Sequence, residues 1–85
     1  MNEEEAKAVV DKIYDDDSKE LIDLLRFYKI SESTIMLILL GIGSHTAYYK
    51  VLVNRINKNK LLVNEKWLKR EVSEIFHEID RNEEL

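Results

Sequence analysis

Apolar residues along this chain recur at helical spacing rather than at the alternation of strands. Ala6, Val9, Val10 and Ile13 fall at i, i+3, i+4 and i+7, with Asn2 placed to cap their helix and Glu5 to complete a capping box. The pattern predicts a first helix ending near Tyr14. Asp15, Asp16, Asp17 and Ser18 supply turn chemistry and a new N-cap, after which Leu21, Leu24, Leu25 and Tyr28 share a face with Ile22 beside them. This second helix reaches about Lys29. Ser31 and Ser33 precede Ile35-Met36-Leu37-Ile38-Leu39-Leu40, a run apolar on every side, which predicts a central helix wrapped by the others.

From Leu39 to Val51 two apolar helical patterns are joined through a turn of only three or four residues. Gly41 and Gly43 allow a tight reversal, Ile42 can plug the angle between two helices, and Ser44 can cap the second of them. That fourth helix is expected from about His45 to Asn57, with Tyr49, Leu52, Val53 and Ile56 on its core face. Asn57-Lys58-Asn59-Lys60 breaks the pattern, and Leu61 to Val63 suits a short extended segment. Asn64 then caps a fifth helix whose stripe is Trp67 or Leu68, Val72, Ile75, Phe76 and Ile79.

The expected fold is therefore all-α: a compact five-helix single domain over residues 1–85 containing a helix-turn-helix, with at most one very short extended segment. Its parts are an N-terminal helical pair (1–30), the helix-turn-helix (31–58) and a C-terminal helix (64–82). Composition agrees, since the 85 residues include no proline and two glycines. The absence of cysteine excludes disulfides and thiolate metal sites and fits a cytoplasmic protein. The longest apolar run is far short of a bilayer span, and the acidic N-terminus is unlike a signal peptide, so no membrane insertion is expected.

Charge is distributed unevenly. The net charge is −4, yet residues 1–23 carry −6, residues 71–85 carry −5 and residues 44–70 carry +6, the last from Lys50, Arg55, Lys58, Lys60, Lys66, Lys69 and Arg70 against Glu65. A localised basic stripe is what phosphate contact requires; a solvated helix face has the same composition. Little else in the chain carries chemistry. Asp15, Asp17 and Glu20 lack the spacing and glycine of a calcium loop, and Glu74-x-x-His77 has no second motif to complete a di-metal site. His45 and His77 have no nucleophile or phosphate-cradling loop beside them, so neither enzyme activity nor a cofactor or metal is expected.

Leu40, Gly41, Ile42, Gly43, Thr46, Ala47, Tyr48 and Val51, followed by the break at Asn57 to Val63 and the final helix, resemble the small helix-turn-helix proteins of the phage excisionase and MerR-related type. The resemblance runs from Ser33 to about Phe76. It implies a small sequence-specific regulator binding double-stranded DNA, with Ser44, His45, Thr46, Tyr48, Tyr49 and Lys50 at or near the groove and Arg55, Lys58 and Lys60 on phosphates. A homodimer through the last helix, with Trp67, Val72 and Phe76 at its interface, would double the charge and the site read. The sequence departs from that family at Ile35 and Ile38, where the family is usually polar, and at Leu61 to Asn64, too short for its glycine-containing hairpin. Gly41-x-Gly43 equally fits a plain helix corner, Tyr48 and Tyr49 fit core edges, and Trp67 fits a core anchor.

A second resemblance lies at the ends. Ala6-Lys7-x-Val9-Val10-x-x-Ile13-Tyr14-x-Asp16 and Asn59-Lys60-Leu61-x-Val63-Asn64-Glu65 are similar to parts of the helical-bundle immunity proteins that protect producers of class II bacteriocins. This implies the rival function, a non-enzymatic helical module that binds a protein partner, immunity-like or an acidic inhibitor. The two readings separate on geometry. Lys50, Arg55, Lys58 and Lys60 lining one face beside Ser44 to Tyr48 would favour DNA, whereas Glu71, Glu74 or the Asp15 to Asp17 turn flanking that face would repel phosphate.

Overall fold

The first helix, α1 (Glu3–Ile13), starts where Asn2 Oδ1 accepts the Glu5 backbone N–H at 2.8 Å, and Glu3, Glu4 and Glu5 place negative charge at its positive end. The computed structural model describes residues 2–83, with side chains to residue 81. The turn after α1 is organised by Asp15, as the acidic run predicts, and Ser18 stands at the N-cap position of the next helix without a side-chain capping bond. Asp15 Oδ1 accepts from the backbone N–H groups of Asp17 and Ser18, while the Ser18 hydroxyl donates to the Ile13 carbonyl at 2.9 Å and is fully buried. Aspartate imitates a backbone turn this way, which frees the serine to close the end of α1.

The second helix, α2 (Lys19–Phe27), ends with Lys29 in the left-handed region at φ 62°. The Lys29 N–H bonds to Arg26 O and the Ile30 N–H to Leu25 O, and Ile30 and Leu25 are both buried. This is a Schellman ending with lysine at the position glycine normally takes.

The third helix, α3 (Glu32–Ile42), has all four of its first backbone donors satisfied by side chains. Glu65 Oε1 accepts from Ser31 N at 2.7 Å; Glu3 accepts from Glu32 N at 2.7 Å and Ser33 N at 3.2 Å; Ser31 Oγ accepts from Thr34 N at 3.3 Å. The helix start is thus tied to the beginnings of two other helices, and the carboxylates also face its positive dipole end.

Gly43, at φ 57°, closes α3 and opens the corner into α4 (Ala47–Lys58). Ser44, expected to cap α4, does not do so. The backbone holds the corner instead, with His45 N bonded to Ile42 O and Thr46 N to Ser44 O, and α4 starts two residues later than His45. Gly41 lies inside α3, outside the reversal. A Cβ at Gly41 would overlap the Phe76 ring, so the missing side chain lets α3 and the last helix approach. The extended segment expected at Leu61 to Val63 is a turn, tied by Leu62 N to Asn59 O at 2.8 Å, and the described residues contain no strand. Asn64 Oδ1 accepts from Trp67 N at 2.8 Å and opens α5 (Glu65–Glu83).

In this all-α arrangement α1 lies against α3, α2 packs on α4, and α5 touches both α3 and α4. Ile35, Ile38, Leu39 and Ile42 of α3 meet Ala6, Val10, Leu52, Ile56, Leu68 and Ile75 in one core. Each fully buried leucine or isoleucine contributes about 1.5–3 kcal/mol relative to exposure. α3 is central but not enclosed. Leu37 is 62% and Leu40 57% exposed, so one side of α3 faces solvent.

Candidate interaction surface

The basic residues of α4 do not share one clear face. Arg55 turns to α5, its Nη1 donating to Glu71 Oε2 and Glu74 Oε2, both at 3.2 Å, and to the Glu71 carbonyl at 3.4 Å. Lys50 lines a surface depression of about 430 Å³ together with Asp16, Asp17, Glu20 and Thr46. Lys58 and Lys60 lie at the far end of α4 and in the turn beyond it, beside Leu61 and Leu62. Of the cations expected beside Ser44 to Tyr48, Arg55 is held by carboxylates, Lys50 shares a depression with three acids, and Lys58 and Lys60 stand at an exposed end.

The other expected groove residues are also dispersed. Tyr49 is 5% exposed and belongs to the core, and its hydroxyl ionisation is pushed up by burial first and by the charges of Asp15 and Asp17 next. Tyr48 is half-buried, its ring edge-on to His45 at 6.3 Å between centroids, while Ser44 and Thr46 are exposed at the corner. On α5, Trp67 and Val72 are buried within this chain's own core, and Phe76 is half-buried over Gly41. Burial of Trp67 follows from its place in the first turn of α5, where the core begins. It leaves Phe76 as the accessible member of the interface expected on the last helix.

Two carboxylates that the sequence reading did not single out have the densest polar contacts. Glu65 is partly buried, which works against its charge. Hydrogen bonds from the Ser31 backbone N–H and the Thr34 hydroxyl, with Lys69 at 3.9 Å, outweigh that and hold its pKa below the usual carboxylate value. Glu3 is likewise lowered, first by the Glu32 N–H and then by the Ser33 hydroxyl and N–H. Arg26 bridges Asp11 at 2.9 Å and Glu32 at 2.8 Å, and its hydrogen bond is the leading cause that lowers Asp11. These contacts fasten helices together. The described residues bring no three potential metal ligands together, and Glu74 of the Glu74-x-x-His77 pair is bound to Arg55.

Among the described residues several large apolar side chains are exposed, Phe27 at 73% and four leucines with it. Leu37 and Leu40 project from α3 one turn apart, and Leu61 and Leu62 stand side by side in the turn before α5. Leu61 and Leu62 were discernible as an apolar pair among lysines and asparagines. Leu37 and Leu40 were not, because an all-apolar run gives no sign of which side faces solvent. No helix among the described residues is long and apolar enough to cross a membrane. No family model matches the chain, and neither a curated protein nor a solved structure matches it.

Proposed function

We propose that this protein is a non-enzymatic helical module that binds a protein partner through the outer face of α3. The observation that carries this reading is the exposure of Leu37 and Leu40 on the most apolar helix of the chain. Leucines one turn apart on a helix that is capped and packed along its other sides form a preorganised anchor, and exposed apolar patches of this kind mark protein contacts. The reading keeps the immunity-like or inhibitor class suggested by the chain ends and takes α3 as its contact.

Sequence-specific binding of double-stranded DNA is less well supported. Arg55 already has two carboxylate partners, and Asp16, Asp17 and Glu20 stand beside Lys50, where phosphate would be repelled. A dimer through α5 would have to form without Trp67 and Val72 as accessible anchors.

The test compares the tagged full chain with its Leu37→Ser, Leu40→Ser variant in capture from lysate of the cells that carry the gene. A protein retained at stoichiometric level by the parent and lost from the equally stable variant supports the reading. Equal capture by both removes α3 as the contact.

A further inference from the structure

The turn between α4 and α5 combines features that the α3 contact does not use. Leu61 is fully exposed at 101% and Leu62 is 57% exposed. One shallow depression is lined by Lys58, Lys60, Leu61 and Leu62, and a second by Leu62, Lys66, Trp67 and Arg70, so Leu62 has cationic side chains on both sides. None of these four cations makes an ion pair among the described residues. Glu65, the one acid between residues 44 and 70, is turned onto Ser31 and Thr34.

The turn is held in place from below. Leu62 N bonds to Asn59 O, the Asn59 side chain donates to Arg55 O at 2.7 Å, Asn64 caps α5, and Trp67 is buried beneath. The leucines are therefore outside because the backbone puts them there. A leucine pair exposed at a turn fits a soft, deformable apolar medium, and flanking cations fit a sheet of negative charge above it. Residues 44–70 carry +6 although the chain as a whole carries −4, so the positive charge available to such a sheet is concentrated in the segment that contains the turn.

We propose that the α4–α5 turn docks the protein on an anionic lipid bilayer, Leu61 and Leu62 entering the boundary between headgroups and acyl chains while Lys58, Lys60, Lys66 and Arg70 meet headgroup phosphates. This is a peripheral contact by one turn and requires no spanning helix. A nucleic acid backbone would satisfy the cations but leave the exposed leucines without an apolar environment.

The experiment is flotation of the full chain with phosphatidylcholine vesicles, with or without about 30% phosphatidylglycerol, at about 0.1 M salt. Binding is expected only to the anionic vesicles. Leu61→Ser, Leu62→Ser and, separately, Lys58→Gln, Lys60→Gln, Lys66→Gln are each expected to lower partitioning at least about tenfold. All replaced side chains are exposed, and circular dichroism melts confirm that each variant is folded. No binding to anionic vesicles, or binding unchanged by the leucine replacements, overturns the proposal. So does retention on a short duplex DNA that the lysine variant loses and the leucine variant keeps while vesicles bind nothing. The Leu37→Ser, Leu40→Ser variant should float like the parent, which separates failure here from failure of the α3 contact.

Discussion

α3 and α4 meet at one corner yet are used in opposite ways. α3, the more apolar, is fastened at its start by polar side chains from α1 and α5 and leaves leucines in solvent along its outer face. α4, the more basic, places Tyr49, Leu52, Val53 and Ile56 in the core and has carboxylates beside its cations at Arg55 and Lys50. Charge in a sequence shows where cations are, but only the fold shows which have been neutralised. Hydrophobicity shows which helix is central, but only the fold shows which side stays uncovered.

The sharpest way to test this contrast is within α3 itself. Ile35→Ala should destabilise by about 2–5 kcal/mol through the cavity it leaves, whereas Leu37→Ala should change stability by no more than about 0.5 kcal/mol. Urea unfolding of the two variants measures both, and equal losses would mean that Leu37 is covered in solution.

Next in size is the fastening at the α3 start. Glu65→Ala removes the acceptor of Ser31 N and of the Thr34 hydroxyl, and a loss of about 1–2 kcal/mol is expected after allowing for its partial exposure. The same contact has a pH signature. Because Glu65 and Glu3 are held below their ordinary value of 4.5, their contribution is fully present above that pH. It disappears as pH falls through their lowered folded values. Melting temperature against pH should therefore fall more steeply in the parent than in Glu65→Gln over that acid range.

Arg55→Ala should destabilise by less than about 1 kcal/mol, since the network with Glu71 and Glu74 is half-exposed and screened by salt. A chemical-denaturation series at low and high salt reads this. Lys29→Gly should act in the other direction, stabilising by about 0.5–1 kcal/mol at the left-handed end of α2 if relief of the backbone outweighs the added freedom of the unfolded chain. No gain in thermal melting would show that Lys29 is not strained there.

The helices were largely legible because their signals are local. Asn2 and Asn64 cap the helices expected of them through bonds three residues long, Ser31 caps α3, and the i, i+3, i+4 stripes identified the core residues of α1, α2, α4 and α5. Errors arose where two local solutions competed. Backbone bonds displaced Ser44 at the corner, and Ser18, although it stands at the N-cap position of α2 as expected, turns its hydroxyl back to Ile13 instead of capping. The Leu61 to Val63 stretch, too short for a helix, was resolved as a turn by the Asn59 and Asn64 bonds on either side. Contacts spanning the chain had no local signal at all: Glu3 reaches Glu32 and Ser33, Glu65 reaches Ser31, and Phe76 lies over Gly41. For the same reason the basic run of residues 44–70 was visible while its partial neutralisation by residues distant in sequence was not.

The most direct test of the account is retention of the full chain on a mixed duplex DNA pool at about 50 and 200 mM salt, beside Lys50→Ala, Arg55→Ala. With Arg55 held by Glu71 and Glu74 and Lys50 sharing a depression with Asp16, Asp17 and Glu20, the double replacement is expected to leave retention unchanged at either salt. Salt-sensitive retention abolished by the double replacement would contradict the account and establish α4 as a DNA-contacting helix.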